Sequence, residues 1–431
     1  MPEDVNIHVK HLTRVEGHGN IIFNTKNGKV SNVIWEVDEA PRFFEAFVRG
    51  KSYHQLSHIT SRICGICSIG HSLASLRATE AAMKVEISEQ TELLRRLALH
   101  GENMQSHSLH VGYLVAPDLL GAPSVVPLVK THREAVVKIV RLHKLANYLS
   151  DLTCGRTIHP ITLEVGGFTA IPTEKQLVEV RKQLVQGMEV TGEVAGIVLA
   201  NADKLPDFQR ETEFIGLTND DHYAYYKGDI ASTDGGRWPP EDYLKIANEY
   251  VVPQSTAKHS KHNRDSYMVG ALARLNLNYR HLTDEAKAVA EMFGLKPVCH
   301  NPYMNSVAQL VEIMDSLVDS TKIIDELLSR GLKEEKNEME IRAGRGVGAV
   351  EVPRGILFHD YTIDELGNCI KANCIIPTNQ NHGNIQKDME AIAPTLLGKP
   401  EKEIELTLEM LVRAYDPCIS CSTHYLNVKF K

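Results

Sequence analysis

The sequence predicts a mainly α protein with small β elements (α+β), a large helical body with β edges, on three observations. Helical apolar periodicity dominates from about Val85 onward, alternating strand-like text is confined to the first forty residues and to turn-rich stretches, and no linker or repeat divides the chain. With 431 residues, 43% of them hydrophobic and 24% charged, there is ample chain for a large core. Length alone suggests about three domains at roughly 150 residues each. The absence of a clean linker instead favours one domain spanning 1–431.

The elements follow in order. From Asn6 to Asp38 apolar residues alternate (Ile7, Val9; Ile21; Val33, Trp35, Val37) around a Lys26-Asn27-Gly28 turn, which reads as a small β element. Leu93, Leu97, His100, Met104, His107, Val111 and Leu114 then fall on one helical face, and Ile139, Leu142, Ala146 and Leu149 repeat the pattern. Thr173 followed by Gln176 has the form of a capping box, opening a helix through Leu177, Val180, Leu184 and Met188. Val307, Leu310, Met314, Leu317 and Ile324 mark another long helix. The segment Asp203 to Pro240, with Asp234-Gly235-Gly236 and Pro239-Pro240, reads as long loops with short strands.

Charge narrows the function classes. Lys plus Arg number 47 against 55 Asp plus Glu, a net charge of −8, which is the reverse of a nucleic-acid footprint. The N-terminus has acids where a signal peptide has bases, and no run of about 18 apolar residues occurs. The expectation is a cytoplasmic chain with no nucleic-acid partner and no direct membrane insertion.

Eight cysteines are too few for a disulfide scaffold, but four form two Cys-x-x-Cys pairs, Cys64/Cys67 and Cys418/Cys421. Cys154, Cys299, Cys369 and Cys374 are scattered and read as small core residues. Two intervening residues let both thiolates turn onto one metal. The commonest use of such pairs is a four-thiolate zinc site. Here the pairs lie 354 residues apart, whereas zinc ribbons keep theirs within about 20. A redox disulfide in each pair would call for a thioredoxin-type βαβ context, which is missing. Four thiolates from opposite ends of a helical body suit a soft transition metal: nickel, iron, copper(I) or zinc.

Arg62-Ile63-Cys64-Gly65-Ile66-Cys67 with His71, together with Asp416-Pro417-Cys418-Ile419-Ser420-Cys421 and His424, resembles the large (catalytic) subunit of nickel-iron hydrogenases, and the resemblance runs from about His11 to His424. The wording is similar to the cytoplasmic, cofactor-coupled branch that includes NAD(P)-linked and sulfhydrogenase-type enzymes. The resemblance implies reversible heterolytic cleavage of dihydrogen into protons and electrons. It implies Cys64 and Cys418 as terminal nickel ligands, Cys67 and Cys421 as bridges to iron, and carbon monoxide and cyanide ligands on the iron.

Further residues take roles from the same resemblance. Thr13-Arg14-Val15-Glu16-Gly17-His18 matches an N-terminal signature in which Glu16 relays protons beside a terminal thiolate. Arg354, in Glu351-Val352-Pro353-Arg354-Gly355, would hang over the open coordination position with Asp118 and Asp416 as its nearby acids. Pro377 and Thr378 would wall the iron diatomics. Glu45, a backbone carbonyl at Cys374, and His424 would hold a second metal, usually magnesium. The implied partners are an iron-sulfur small subunit, flavin- and NAD(P)-binding diaphorase-type subunits, and a maturation protease that removes an extension such as Tyr425 to Lys431. Alternatives are a non-enzymatic zinc-stabilised scaffold and a membrane-associated energy-converting hydrogenase subunit; a complex I type chain lacks the four thiolates.

Overall fold

A computed structural model describes residues 4–335 and 339–424; Tyr425 to Lys431, the expected cleavable extension, lie outside the described residues. The N-terminal β element is a three-stranded antiparallel sheet of Asn6–Val9, Gly19–Lys26 and Lys29–Val37. Its tight turn is Asn27-Gly28, where φ is +52° and +73°, the left-handed pair that a two-residue hairpin favours. Trp35 is fully buried on this sheet, and its indole N–H donates to His382 Nδ1 (3.0 Å). A side chain of that size buries well only when its one polar atom finds a partner.

The helical body is built around four long helices, Glu89–Leu109, Arg133–Cys154, Glu174–Leu199 and Asn305–Arg330, each packed against two of the others in a closed ring. The predicted stripes are the faces they bury: Leu93, Leu97, Leu142, Ala146, Leu149, Leu177, Leu184, Leu310 and Leu317 are all in the core. The Thr173–Gln176 capping box is present, each side chain satisfying the other's backbone. Beyond Leu109 the first of these helices widens into a π-helical turn, His110–Val115. The Asp203–Pro240 stretch carries three short strands, Glu213–Thr218, Asp229–Ser232 and Arg237–Trp238. No helix among the described residues is long and apolar enough to cross a membrane.

One element has no counterpart in the sequence expectations, a three-stranded antiparallel sheet of Gly344–Val352, Gly355–Ile363 and Cys369–Ile375. It lies on the Ser68–Met83 helix, whose near-complete burial leaves no amphipathic stripe to read. Gly344, Gly346 and Gly348 face this helix at the strand period of two. A Cβ on any of them would come within 2.3 Å of the backbone at Ala82, Ala78 or Ala74. Strand and helix are therefore in backbone contact. At the far end Gly70 lies against the Val352 side chain, which brings the tip of the hairpin next to the start of the helix.

Candidate metal centre

Cys64 ends a short 3-10 turn, Ser61–Ile63, and Cys67 caps the Ser68–Met83 helix. The Cys67 N–H donates to Cys64 Sγ (3.1 Å). The helix start is further fixed by Glu102, whose carboxyl oxygens accept from the N–H groups of Ile69 (2.6 Å) and Gly70 (3.0 Å). The C-terminal pair arrives on an irregular stretch. Asp416 takes φ of +50°, a conformation few non-glycine residues adopt, and Ile419–Ser422 forms one short helical turn.

Long-range contacts hold that turn. The Cys418 N–H donates to Thr378 Oγ1 (3.1 Å), and Pro377 opens the helix that carries this threonine. Glu16 pairs along the backbone with Cys418, its carbonyl accepting from the Ile419 N–H (2.8 Å). Its carboxylate accepts from the N–H and hydroxyl of Ser420 and lies 3.1 Å from Cys418 Sγ. Arg42 joins the two motifs directly, Nη2 donating to both Ile63 O (2.6 Å) and Ser420 O (2.6 Å).

The result is a buried group of sulfurs. Cys64 Sγ and Cys418 Sγ are 3.5 Å apart, and the ligand atoms of Cys64, Cys418 and Cys421 all lie within 4.8 Å of one another. The Cys67 sulfur lies outside that group of three: its N–H donates to Cys64 Sγ, and its own Sγ accepts from Arg354. Cys418 and Cys421 are drawn together as a disulfide, so metal ligation requires this pair in its reduced form. The contact with Cys67 and the Arg354 charge lower the Cys64 thiol to about 7 against the desolvation that opposes them, whereas burial pushes the Cys154 thiol up to about 12. One is poised to become a thiolate; the other is an inert core residue.

Arg354 lies over this group, with Nη1 donating to Cys67 Sγ (3.2 Å), Nη2 to Asp416 Oδ1 (2.9 Å) and Nε to Asp416 O (2.6 Å). Burial opposes its charge, but Asp416 and the sulfurs of Cys67 and Cys64 more than offset this and keep it protonated. Asp416 is in turn steadied by Gln309 (3.1 Å). Asp118 departs from the expectation. Arg14 (2.5 Å) and Arg413 (2.8 Å) occupy its oxygens, so it braces the segment leading to Asp416 and does not pair with Arg354.

Glu45 Oε1 accepts from the Cys374 N–H (2.8 Å), which places the carboxylate against the backbone at Cys374. His424 Nε2 donates to Cys421 O (2.7 Å), and this fixes the tautomer with Nδ1 as a bare acceptor, buried and without a partner among the described residues. Burial lowers this imidazole to about 4 and so keeps it neutral. In the core, His107 pairs through Nε2 with Glu312 (2.8 Å), its Nδ1 having no partner among the described residues, and His110 is satisfied by Gln309 (2.5 Å) and Arg413 O (2.7 Å). Sequence reasoning missed the tie made by Arg42, the anchor made by Glu102, and the His382–Ser422 hydrogen bond (2.8 Å) behind Cys421. The one local signal for any of these is the position of Arg42 beside the Phe43-Phe44-Glu45 segment.

The description "nickel-dependent hydrogenase" belongs to the family model that matches residues 42–149 and 216–424. The alpha chain of sulfhydrogenase 2 from Pyrococcus furiosus is 33% identical over 98% of this chain and 100% of its own length. An F420-non-reducing hydrogenase chain of Methanothermobacter thermautotrophicus is 30% identical over 99% of this chain and 96% of its own. An NAD+-reducing NiFe hydrogenase solved in the H2-reduced state superposes with a TM-score of 0.88 at 26% identity, covering 98% of this chain and 100% of that one. The chain thus belongs to the nickel-dependent hydrogenase family, as the catalytic subunit of an oxidoreductase acting on dihydrogen.

Proposed function

We propose that Cys64, Cys67, Cys418 and Cys421 hold a nickel-iron centre whose iron carries carbon monoxide and cyanide, with Cys64 and Cys418 terminal on nickel and Cys67 and Cys421 bridging. The observation that carries this reading is the meeting of Cys64 with Cys418 and Cys421 from the far end of the chain, beside a buried, permanently charged Arg354 that reaches Cys67. A buried, all-sulfur donor set with one thiol already shifted toward ionisation suits a soft metal. When bound, the centre supplies the open coordination position at which dihydrogen is polarised.

The surrounding residues then divide the work. Arg354 presents a fixed positive edge above the sulfurs, and Asp416 holds that edge in place. Glu16, 3.1 Å from Cys418 Sγ, takes the proton from that sulfur and passes it toward Ser420 and the surface. Pro377 and Thr378 wall the iron side. The Thr378 oxygen accepts from the Cys418 N–H, and its own proton is available for a diatomic ligand. Glu45, the backbone at Cys374 and the bare Nδ1 of His424 form the second, magnesium-type site.

In this reading the whole chain is one large-subunit domain in a cytoplasmic, multi-subunit enzyme. Electrons leave through an iron-sulfur small subunit, then continue to NAD(P) or ferredoxin through diaphorase-type subunits. The naming of the relatives as subunits of larger enzymes and the NAD+-reducing structural neighbour support this. Tyr425 to Lys431 are removed by a maturation protease, so the active chain has the intact mass of a polypeptide ending at His424. Metal analysis of the anaerobically purified complex tests the core of the reading. About one nickel per chain, iron in several-fold excess from the partner's clusters, and infrared bands from iron-bound cyanide and carbon monoxide are expected; zinc alone, without nickel and without those bands, would overturn it and favour a structural scaffold.

A further inference from the structure

Arg354 sits at the tip of a two-residue hairpin. The strands pair Val352 with Gly355, leaving only Pro353 and Arg354 in the loop. Hairpins this short favour turns with left-handed residues at the loop positions, and proline, with φ fixed near −65°, cannot supply the first. The loop therefore needs support from outside. Gly355, at φ of +133°, is wedged so tightly against Val269 that a Cβ would come within 2.5 Å of it.

That support comes from Arg274 on the Ala271–Asn278 helix. All five of its donors are used. Nε and Nη2 form a fork on Glu312 (2.7 and 2.7 Å), and Nη1 reaches Glu351 (2.9 Å). The remaining two go to the carbonyls of Val352 (2.8 Å) and Pro353 (3.0 Å), the residues immediately before Arg354. Arg274, Glu312 and Glu351 have no exposed side-chain surface, and Tyr223 (2.7 Å) and His107 (2.8 Å) satisfy Glu312 further. A buried ionic cluster is no better for stability than well-packed apolar side chains of the same volume. What apolar side chains cannot do is deliver two directed donors to consecutive carbonyls.

We infer that Arg274 is a positioning residue for hydrogen turnover. Anchored by Glu312 and Glu351, it fixes the Val352–Pro353 backbone so that the Arg354 guanidinium stays over Cys67. This rests on the reading that Arg354 acts above the metal-binding sulfurs. Lysine cannot replace it, because an ammonium lacks the planar fork that serves a carboxylate and two carbonyls at once.

The experiment compares Arg274→Lys, Arg354→Lys and the double variant in the anaerobically purified complex, measuring nickel content, kcat, KM for dihydrogen and the crystal structure. Arg274→Lys is expected to keep nickel at the wild-type level, to leave KM within about twofold, and to lower kcat roughly a hundredfold, as a misplacement near 1 Å does. The double variant is expected to be no slower than Arg354→Lys, and the crystal structure to show the Arg354 guanidinium off Cys67. Should Arg274→Lys fail to fold, Arg274→Met combined with Glu312→Gln and Glu351→Gln removes all three buried charges together and leaves the carbonyls unheld; the same loss of kcat is expected. Losses that multiply in the double variant, or an Arg274→Lys enzyme with Arg354 in place and wild-type kcat, would overturn the positioning role. Full activity in Arg354→Lys would instead sink the underlying reading of Arg354.

Discussion

Cys64 and Cys67 are placed largely by their own surroundings in sequence: a 3-10 turn, a helix start, and one acid from the neighbouring helix. Cys418 and Cys421 sit on an irregular turn whose position is set by residues hundreds of positions away, among them Glu16 and Arg42, and by Thr378 and His382 across the core. The first pair is a rigid floor that forms with its helix. The second is a flap lying against the Cys64 sulfur, secured by side chains to which the proposed function also assigns chemistry. Mutations around the first pair should thus act on stability, and those around the second on metal retention and turnover.

The largest effect expected is from the sulfurs themselves. Cys418→Ser is expected to abolish hydrogen uptake while the circular dichroism spectrum is retained; appreciable activity would contradict its assignment as a ligand. Glu16→Gln keeps an oxygen for the Ser420 N–H but cannot carry a proton. Turnover should fall by about two to four powers of ten with nickel and iron content unchanged. An enzyme that loses its metal instead would show that Glu16 only secures the flap.

Arg42→Met separates the two motifs by deleting the donors to Ile63 O and Ser420 O, which should cost about 1–3 kcal/mol. The expected result is a lower nickel content per chain with near-normal activity per nickel atom. A variant that kept its full metal load would show that the flap closes without this tie.

The smallest effect concerns the floor. Burial raises the Glu102 carboxyl to about 8, so the folded state favours its protonated form. The sign follows: this stabilisation is complete below the ordinary carboxylate range and is lost as pH rises toward 8. Glu102→Gln should flatten the fall in Tm between pH 5 and 8 measured for the purified complex. An unchanged slope would remove Glu102 as its source.

The same contrast explains what was legible in the sequence. The long helices are amphipathic and show their stripes, and Asn27-Gly28 and Thr173–Gln176 are local signals read from a few residues. The Ser68–Met83 helix and the Gly344–Val352 strand bury nearly all of their surface and show no apolar stripe or alternation, the strand's period surviving only in Gly344, Gly346 and Gly348. Both cysteine pairs were legible as motifs, as was the nearness of Glu16 to Cys418. The placement of Asp118 and the roles of Arg42 and Arg274 were not, because each depends on contacts between residues more than seventy positions apart or on loops meeting across the core.

Nickel-edge X-ray absorption of the anaerobically purified, reduced complex tests the central claim most directly, since it counts the ligands that the two pairs supply together. The expected spectrum is a nickel shell made of sulfur, with an iron scatterer close by and one sulfur fewer after Cys64→Ser. A shell of nitrogen and oxygen, or a spectrum indifferent to Cys64, would mean that floor and flap do not share the metal.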